Sequence, residues 1–186
     1  MFQIQMGYPG IIQNDSNFYK HMGDVFPGLF HNDEAFFVLW QDIPICFRYR
    51  DDLTRNFAAI LNMLQTLKEN VEGSTLLVLT NETLNLTIRM HWQAEFLYLS
   101  MHADTEYSAY QKYSAALNEQ SKLVLDKNNF MAEWHTLIHQ LVLAFHAGKV
   151  HVEGGLEQQK LRLLQSLDQQ LEGFGCMYTE IINERY

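Results

Sequence analysis

The sequence predicts an α+β fold: an antiparallel sheet of about five to six strands packed by two or three amphipathic helices. Three observations carry this. Lys122-Leu123-Val124-Leu125 reads as a short strand that runs through Asp126, an N-cap residue type, into a long amphipathic helix. That helix places Phe130, Trp134, Leu137, Ile138, Leu141, Val142 and Phe145 on one broad face. Between residues 84 and 92, Leu84, Leu86, Ile88, Met90 and Trp92 alternate with Asn85, Thr87, Arg89 and His91, which is the period of a strand with one buried face.

The remaining elements follow in chain order. Residues 1–34 are punctuated by Gly7, Pro9, Gly10, Gly23, Pro27 and Gly28, with Phe18, Tyr19, Phe26 and Phe30 between them. They are expected to form an ordered, loop-rich lead-in held by its aromatic side chains. Residues 35–147 should carry the sheet and its helices. Ala35 to Trp40 is a strand, Gln41-Asp42 a short turn, and Ile43 to Tyr49 the return strand. Pro44 has no amide donor and belongs at a strand start or on an edge. Asp51 or Asp52 caps a helix bearing Leu53, Phe57, Ile60, Leu61, Leu64 and Leu67, with Gly73 at its end. Thr75 to Thr80 is a continuous apolar strand, Asn81-Glu82-Thr83 a turn, and Ala94 to Met101 the strand after another turn at Gln93. Residues 102–120 read as a polar, tyrosine-rich stretch forming a short helix or a long loop. Residues 148–186 hold a brief extended piece, Val150-His151-Val152, and a last helix. That helix runs from Leu156 to Leu171, buries Leu156, Leu163, Leu164, Leu167 and Leu171, and is stopped by Gly173 and Gly175. Hairpin-length connections imply antiparallel pairing, and segregated helices exclude a doubly wound sheet. A chain of 186 residues is the size of one domain with a full core.

Composition excludes several functions. The chain is 47% hydrophobic and 13% aromatic, so disorder throughout is excluded. Its 22 acidic and 13 basic side chains give a net charge of −9, against nucleic-acid or anionic-membrane binding. No signal peptide or membrane span is expected. The two cysteines, Cys46 and Cys176, form no Cys-x-x-Cys pair, and the protein is expected to be cytoplasmic.

No catalytic signature is legible, and no enzyme activity or cofactor is expected. His135 and His139 lie four apart on the long helix, with His146 further along the same side. A zinc protease pattern needs glutamate directly after the first histidine; Thr136 stands there. The expectation is no metal, with these histidines flanking the apolar face. There is no Gly-x-Ser-x-Gly elbow, and the glycines at 148, 154 and 155 lack the lysine and spacing of a phosphate loop. Asp51-Asp52 is explained by helix capping and Asp33-Glu34 by a solvated turn. Tyr107, Tyr110 and Tyr113 recur every three residues beside Asp104 and Glu106. Tyrosine is enriched at binding hot spots, so these five residues are the candidate partner-binding site. The same rings could instead pack the segment onto the sheet.

Four stretches together resemble small bacterial immunity-type proteins of polymorphic or contact-dependent toxin systems. They are the block from Phe37 to Ile45, the helix after Asp51-Asp52, the strand ending in His91-Trp92, and the run from Lys127 to Trp134. The likeness spans roughly residues 35–147. It implies a non-enzymatic protein that neutralises a cognate toxin domain by direct contact in the cytoplasm, and an acidic surface suits a basic toxin. No site residues carry over. The competing readings are another adaptor or secretion chaperone, or an enzyme with a dispersed pocket using His91, His102 or His135.

Overall fold

The computed structural model describes residues 1–183 except Tyr8 and residues 13–17, with side chains described as far as residue 172. The expected α+β class is observed, and the strands divide among a three-stranded sheet, a four-stranded sheet and a two-stranded parallel pair.

The three-stranded sheet is built from β1 (Phe2–Met6), β3 (Ala35–Trp40) and β4 (Ile43–Arg48), all antiparallel. The turn between β3 and β4 holds Gln41 and Asp42 at φ of 48° and 72°. Left-handed backbone at both positions matches the right-handed twist of a tight hairpin. Pro44 sits on β4, the edge strand, as its missing amide requires. The first 34 residues are more regular than expected. Besides β1 they supply β2 (Phe18–Tyr19) and α1 (Met22–Leu29). Glycine and proline spacing hid both, because β1 is short and α1 tolerates Pro27 near its end. Phe2 of β1 packs 4.6 Å from the Phe130 ring, and Phe26 of α1 packs 5.1 Å from Phe57.

Helix α2 (Asp52–Glu69) buries Leu53, Phe57, Ile60, Leu61, Leu64 and Leu67, as expected. Neither aspartate caps it in the expected way. Asp51 makes no side-chain cap bond, while Asp52 turns back to accept the Arg48 amide at 2.8 Å. The helix ends before Asn70, and Gly73 lies inside the next strand. Its missing side chain is required there, since a Cβ would stand 2.6 Å from Cζ2 of Trp92.

The four-stranded sheet is an antiparallel meander of β5 (Glu72–Thr80), β6 (Asn85–Gln93), β7 (Phe96–Asp104) and β8 (Lys122–Asp126). Between β7 and β8 come a 3-10 turn (Ser108–Tyr110) and α3 (Gln111–Glu119). One face of this sheet is core: Leu77, Leu79, Leu86, Ile88, Met90, Trp92, Leu97, Leu99 and Met101 are all buried. Asn56 joins α2 to the end of β5. Its Nδ2 donates to the carbonyls of Asp52 and Thr80 at 2.8 and 2.7 Å, and its Oδ1 accepts the Thr80 amide at 2.9 Å. Ser114 and Asn118 of α3 bond the backbone of Ala103 on β7.

Helix α4 (Lys127–Ala147) starts at Asp126, whose side chain accepts the Asn129 amide, and all seven expected apolar positions are buried. Glu133 on α4 accepts the Ile4 amide at 2.8 Å, closing the free edge of β1. The strand β9 (His151–Val152) pairs in parallel with β2. Helix α5 then runs from Gly155 to Asn183, through Gly173 and Gly175. Each glycine costs a helix only about 1 kcal/mol, too little to stop one alone. Leu164, Leu167 and Leu171 are buried as expected, but Leu163 is only half-buried and Leu156 is 75% exposed on the first turn.

Candidate functional site

Among the described residues, the helices cover one side of the four-stranded sheet and its other face is exposed. Strand alternation sends Ser74, Leu76 and Val78 of β5 outward, with Thr87, Arg89 and His91 of β6, Phe96, Tyr98, Ser100 and His102 of β7, and Lys122 and Val124 of β8. The registers set these in rows across the strands. Ser74, His91, Tyr98 and Val124 form one row; Leu76, Arg89, Ser100 and Lys122 form the next. Five large apolar side chains on this face, Leu76, Val78, Phe96, Tyr98 and Val124, are between 46 and 60% exposed. Single exposed apolar residues need no explanation, but these fall into two groups, Leu76 with Val78 on β5 and Phe96 with Tyr98 and Val124 on β7 and β8, on either side of Arg89 and His91 of β6. The centre of the face is a shallow trough of about 710 Å³.

Its centre is basic although the chain is acidic, while the exposed carboxylates of Glu72 and Asp104 lie at its ends. Arg89 and Lys122 flank Ser100 in one row, two strand spacings or about 10 Å apart. Among the described residues neither makes an ion pair. His91 stands beside Tyr98, ring centres 6.1 Å apart. A chain of net charge −9 therefore presents two unpaired cations within an apolar, aromatic field.

The five residues expected to bind a partner are separated by the structure. Asp104 ends β7 on the open face, and its side chain accepts the Thr105 amide. Thr105 ties the segment to the β5–β6 turn by donating to the Thr83 carbonyl at 2.6 Å. Glu106, Tyr107 and Tyr110 are exposed, the two rings meeting edge to face at 6.5 Å. Tyr113 is different. It lies on α3, half-buried against the core, and its hydroxyl donates to the Pro44 carbonyl. Packing claims this ring, while Tyr107 and Tyr110 stay available.

Tyr110 and Tyr113 line one wall of a cleft of about 490 Å³, with Pro44, Cys46, Arg48 and Glu82 opposite. Arg48 and Glu82 pair at 2.8 Å. The Cys46 thiol is pushed above its ordinary range by partial desolvation, then by the charge of Asp52, against a smaller opposing effect of Arg48. Desolvation also pushes the Tyr113 hydroxyl up to about 12. Both shifts keep these groups protonated, the reverse of what a nucleophile needs.

The histidines are arranged otherwise than expected. His135 is buried, not half-wetted beside the apolar face, and it meets Asp168 of α5. His139 meets the same carboxylate oxygen. His146 is apart from both, lining a small crevice with Phe145, Val150 and Leu161. His91 and His102 belong to the open sheet face.

No family model, curated protein or solved structure matches this chain. No helix among the described residues is long and apolar enough to cross a membrane.

Sequence reasoning missed the open face, although its signal was present. Thr75 to Thr80 and Phe96 to Met101 are apolar on both alternations, whereas a meander covered on one side needs only one apolar face.

Proposed function

We propose that this chain is a non-enzymatic protein-binding module that contacts its partner through the open face of the four-stranded sheet. In keeping with its immunity-type resemblance, the partner is a bacterial toxin domain, neutralised by direct contact in the cytoplasm. The observation that carries the reading is the group of five half-exposed apolar side chains around Arg89 and Lys122. Strand spacing and rise give this face a plan area on the order of 500 Å². That is the same order as the ~800 Å² one partner contributes to a standard interface. Tyr107 and Tyr110, just beyond the end of β7, extend it.

The two cations at the centre of the face favour a partner that meets it there with apolar and acidic groups. The net charge of −9 acts at longer range and suits a basic partner overall. A second copy is disfavoured, because a two-fold axis centred on the face would bring Arg89 and Lys122 toward their own copies.

The test is affinity capture from the native organism, followed by titration of the captured protein's own activity with this chain. Loss of that activity at one-to-one stoichiometry supports neutralisation. A partner that stays folded and active when bound refutes it and leaves an adaptor or secretion chaperone.

A further inference from the structure

We propose that His135, His139 and Asp168 form a binding site for a borderline divalent transition ion, zinc above all. The site is independent of the sheet face. Two of its ligands are four residues apart on α4, so their rings leave the helix on one side; the third comes from α5, packed alongside. His135 Nε2 and His139 Nδ1 each lie 3.1 Å from Oδ1 of Asp168. All three ligand atoms lie within 4.8 Å of one another.

These separations are near those an ion demands. Bonds of about 2.0–2.1 Å in a tetrahedral shell put ligand atoms about 3.3 Å apart. Two of the three pairs are already close to that distance, and the third, between the two ring nitrogens, is within 4.8 Å. Two imidazoles and a carboxylate select zinc and its neighbours over magnesium or calcium, which take oxygen ligands.

Burial sets the form of the site. The side chains of His135 and Asp168 are 11 and 15% exposed, while that of His139 is 49% exposed. The first two ligands are fixed by packing, and the third opens to solvent. That opening is both an entry path and a free coordination position for water or an anionic group.

Proton positions follow from the neighbours. His135 Nε2 also lies 3.0 Å from the Asp168 carbonyl, which can only accept, so this nitrogen carries a hydrogen. His139 Nδ1 likewise donates to the carboxylate. An entering ion takes the place of both hydrogens, and a ring that binds it as imidazole carries its N–H on the far nitrogen. The ion then joins α4 to α5 more firmly than these hydrogen bonds do.

The experiment uses the full chain without an affinity tag, stripped with chelator, and adds zinc, magnesium or cobalt(II). Zinc at a hundredfold excess over Kd raises Tm by about 5–10 °C, and magnesium does not. Cobalt(II) gives the intense visible bands of a four-coordinate site. His139→Ala, which removes a half-exposed side chain and one hydrogen bond to Asp168, lowers Tm of the stripped protein by a few degrees at most and weakens zinc at least roughly tenfold. His146→Ala keeps wild-type zinc affinity. The proposal is overturned if zinc does not raise Tm, or if His139→Ala and Asp168→Asn bind zinc as tightly as wild type.

Discussion

Replacing Asn56 tests how the open sheet is held to the helical layer. This side chain is 3% exposed and makes three hydrogen bonds, two donated and one accepted, of 2.7–2.9 Å. Its amide orientation is fixed by its partners, since the Thr80 amide must meet oxygen and the two carbonyls must meet nitrogen. Each bond is worth about 0.5–1.5 kcal/mol net, and stranded buried partners cost more. Thr80 is half-buried, so water can recover part of the loss. Asn56→Ala should therefore destabilise by about 3 kcal/mol. At roughly 2–4 °C per kcal/mol for a chain of this size, Tm falls by about 6–12 °C. In urea titrations the midpoint should drop with the slope unchanged. Asn56→Asp should be worse at neutral pH, because it loses both donors and places a charge near buried Asp52. A loss below about 1 kcal/mol for Asn56→Ala would refute the reasoning, since it would mean that these three bonds do not hold β5 to α2.

Other outcomes are equally specific. Tyr113→Ala should cost about 2–3 kcal/mol, from a half-buried ring and its bond to Pro44, while Tyr107→Ala stays within about 0.5 kcal/mol by thermal unfolding. Gly73→Ala should destabilise by about 1–3 kcal/mol, because its Cβ meets the buried Trp92 ring, which Asn70 pins through a 3.0 Å bond. Glu133 is pushed up by burial, against the smaller opposing effect of the Ile4 amide. A raised folded-state pKa means that its effect on stability is most favourable below the ordinary value of 4.5 and worsens as pH rises through the shifted value. Glu133→Gln should thus be at least as stable as wild type at pH 7 in denaturant melts, and lose that advantage near pH 4. Leu76→Ser with Val124→Ser should leave Tm within about 2 °C, both side chains being more than half exposed. Burying those exposed parts is worth about 2–3 kcal/mol, so the pair should weaken partner binding by about 30–150-fold.

Much of the fold was legible because its signals are local. Asp126 and the apolar stripe of α4 agree at every position, and the alternation of β6 names its buried face without tertiary information. The errors fall where a local signal competes with a contact made elsewhere. Gly73 looks like a helix stop, yet it is glycine to make room for Trp92, nineteen positions along the chain. The glycines of α5 look like terminators because propensity is read without the packing that carries the helix past them. The candidate site was less legible. Tyr113 and Tyr107 are alike in sequence, and only the position of Pro44 separates them. Asp168 gives no sign of belonging with His135 and His139, because the three meet only through the packing of α4 on α5. The open sheet face was written as strands apolar on both alternations, but which side the helices cover is a property of topology.

The claim that the open sheet face is the contact surface is tested most directly by site-specific photocrosslinking in the native organism. A photoreactive side chain is placed in turn at Leu76, Tyr98 and Val124, and at Leu143, an exposed apolar position on α4, as control. The account predicts one shared adduct from the three sheet positions and none of that mass from Leu143. The same adduct from Leu143 alone, with none from the sheet, would contradict it.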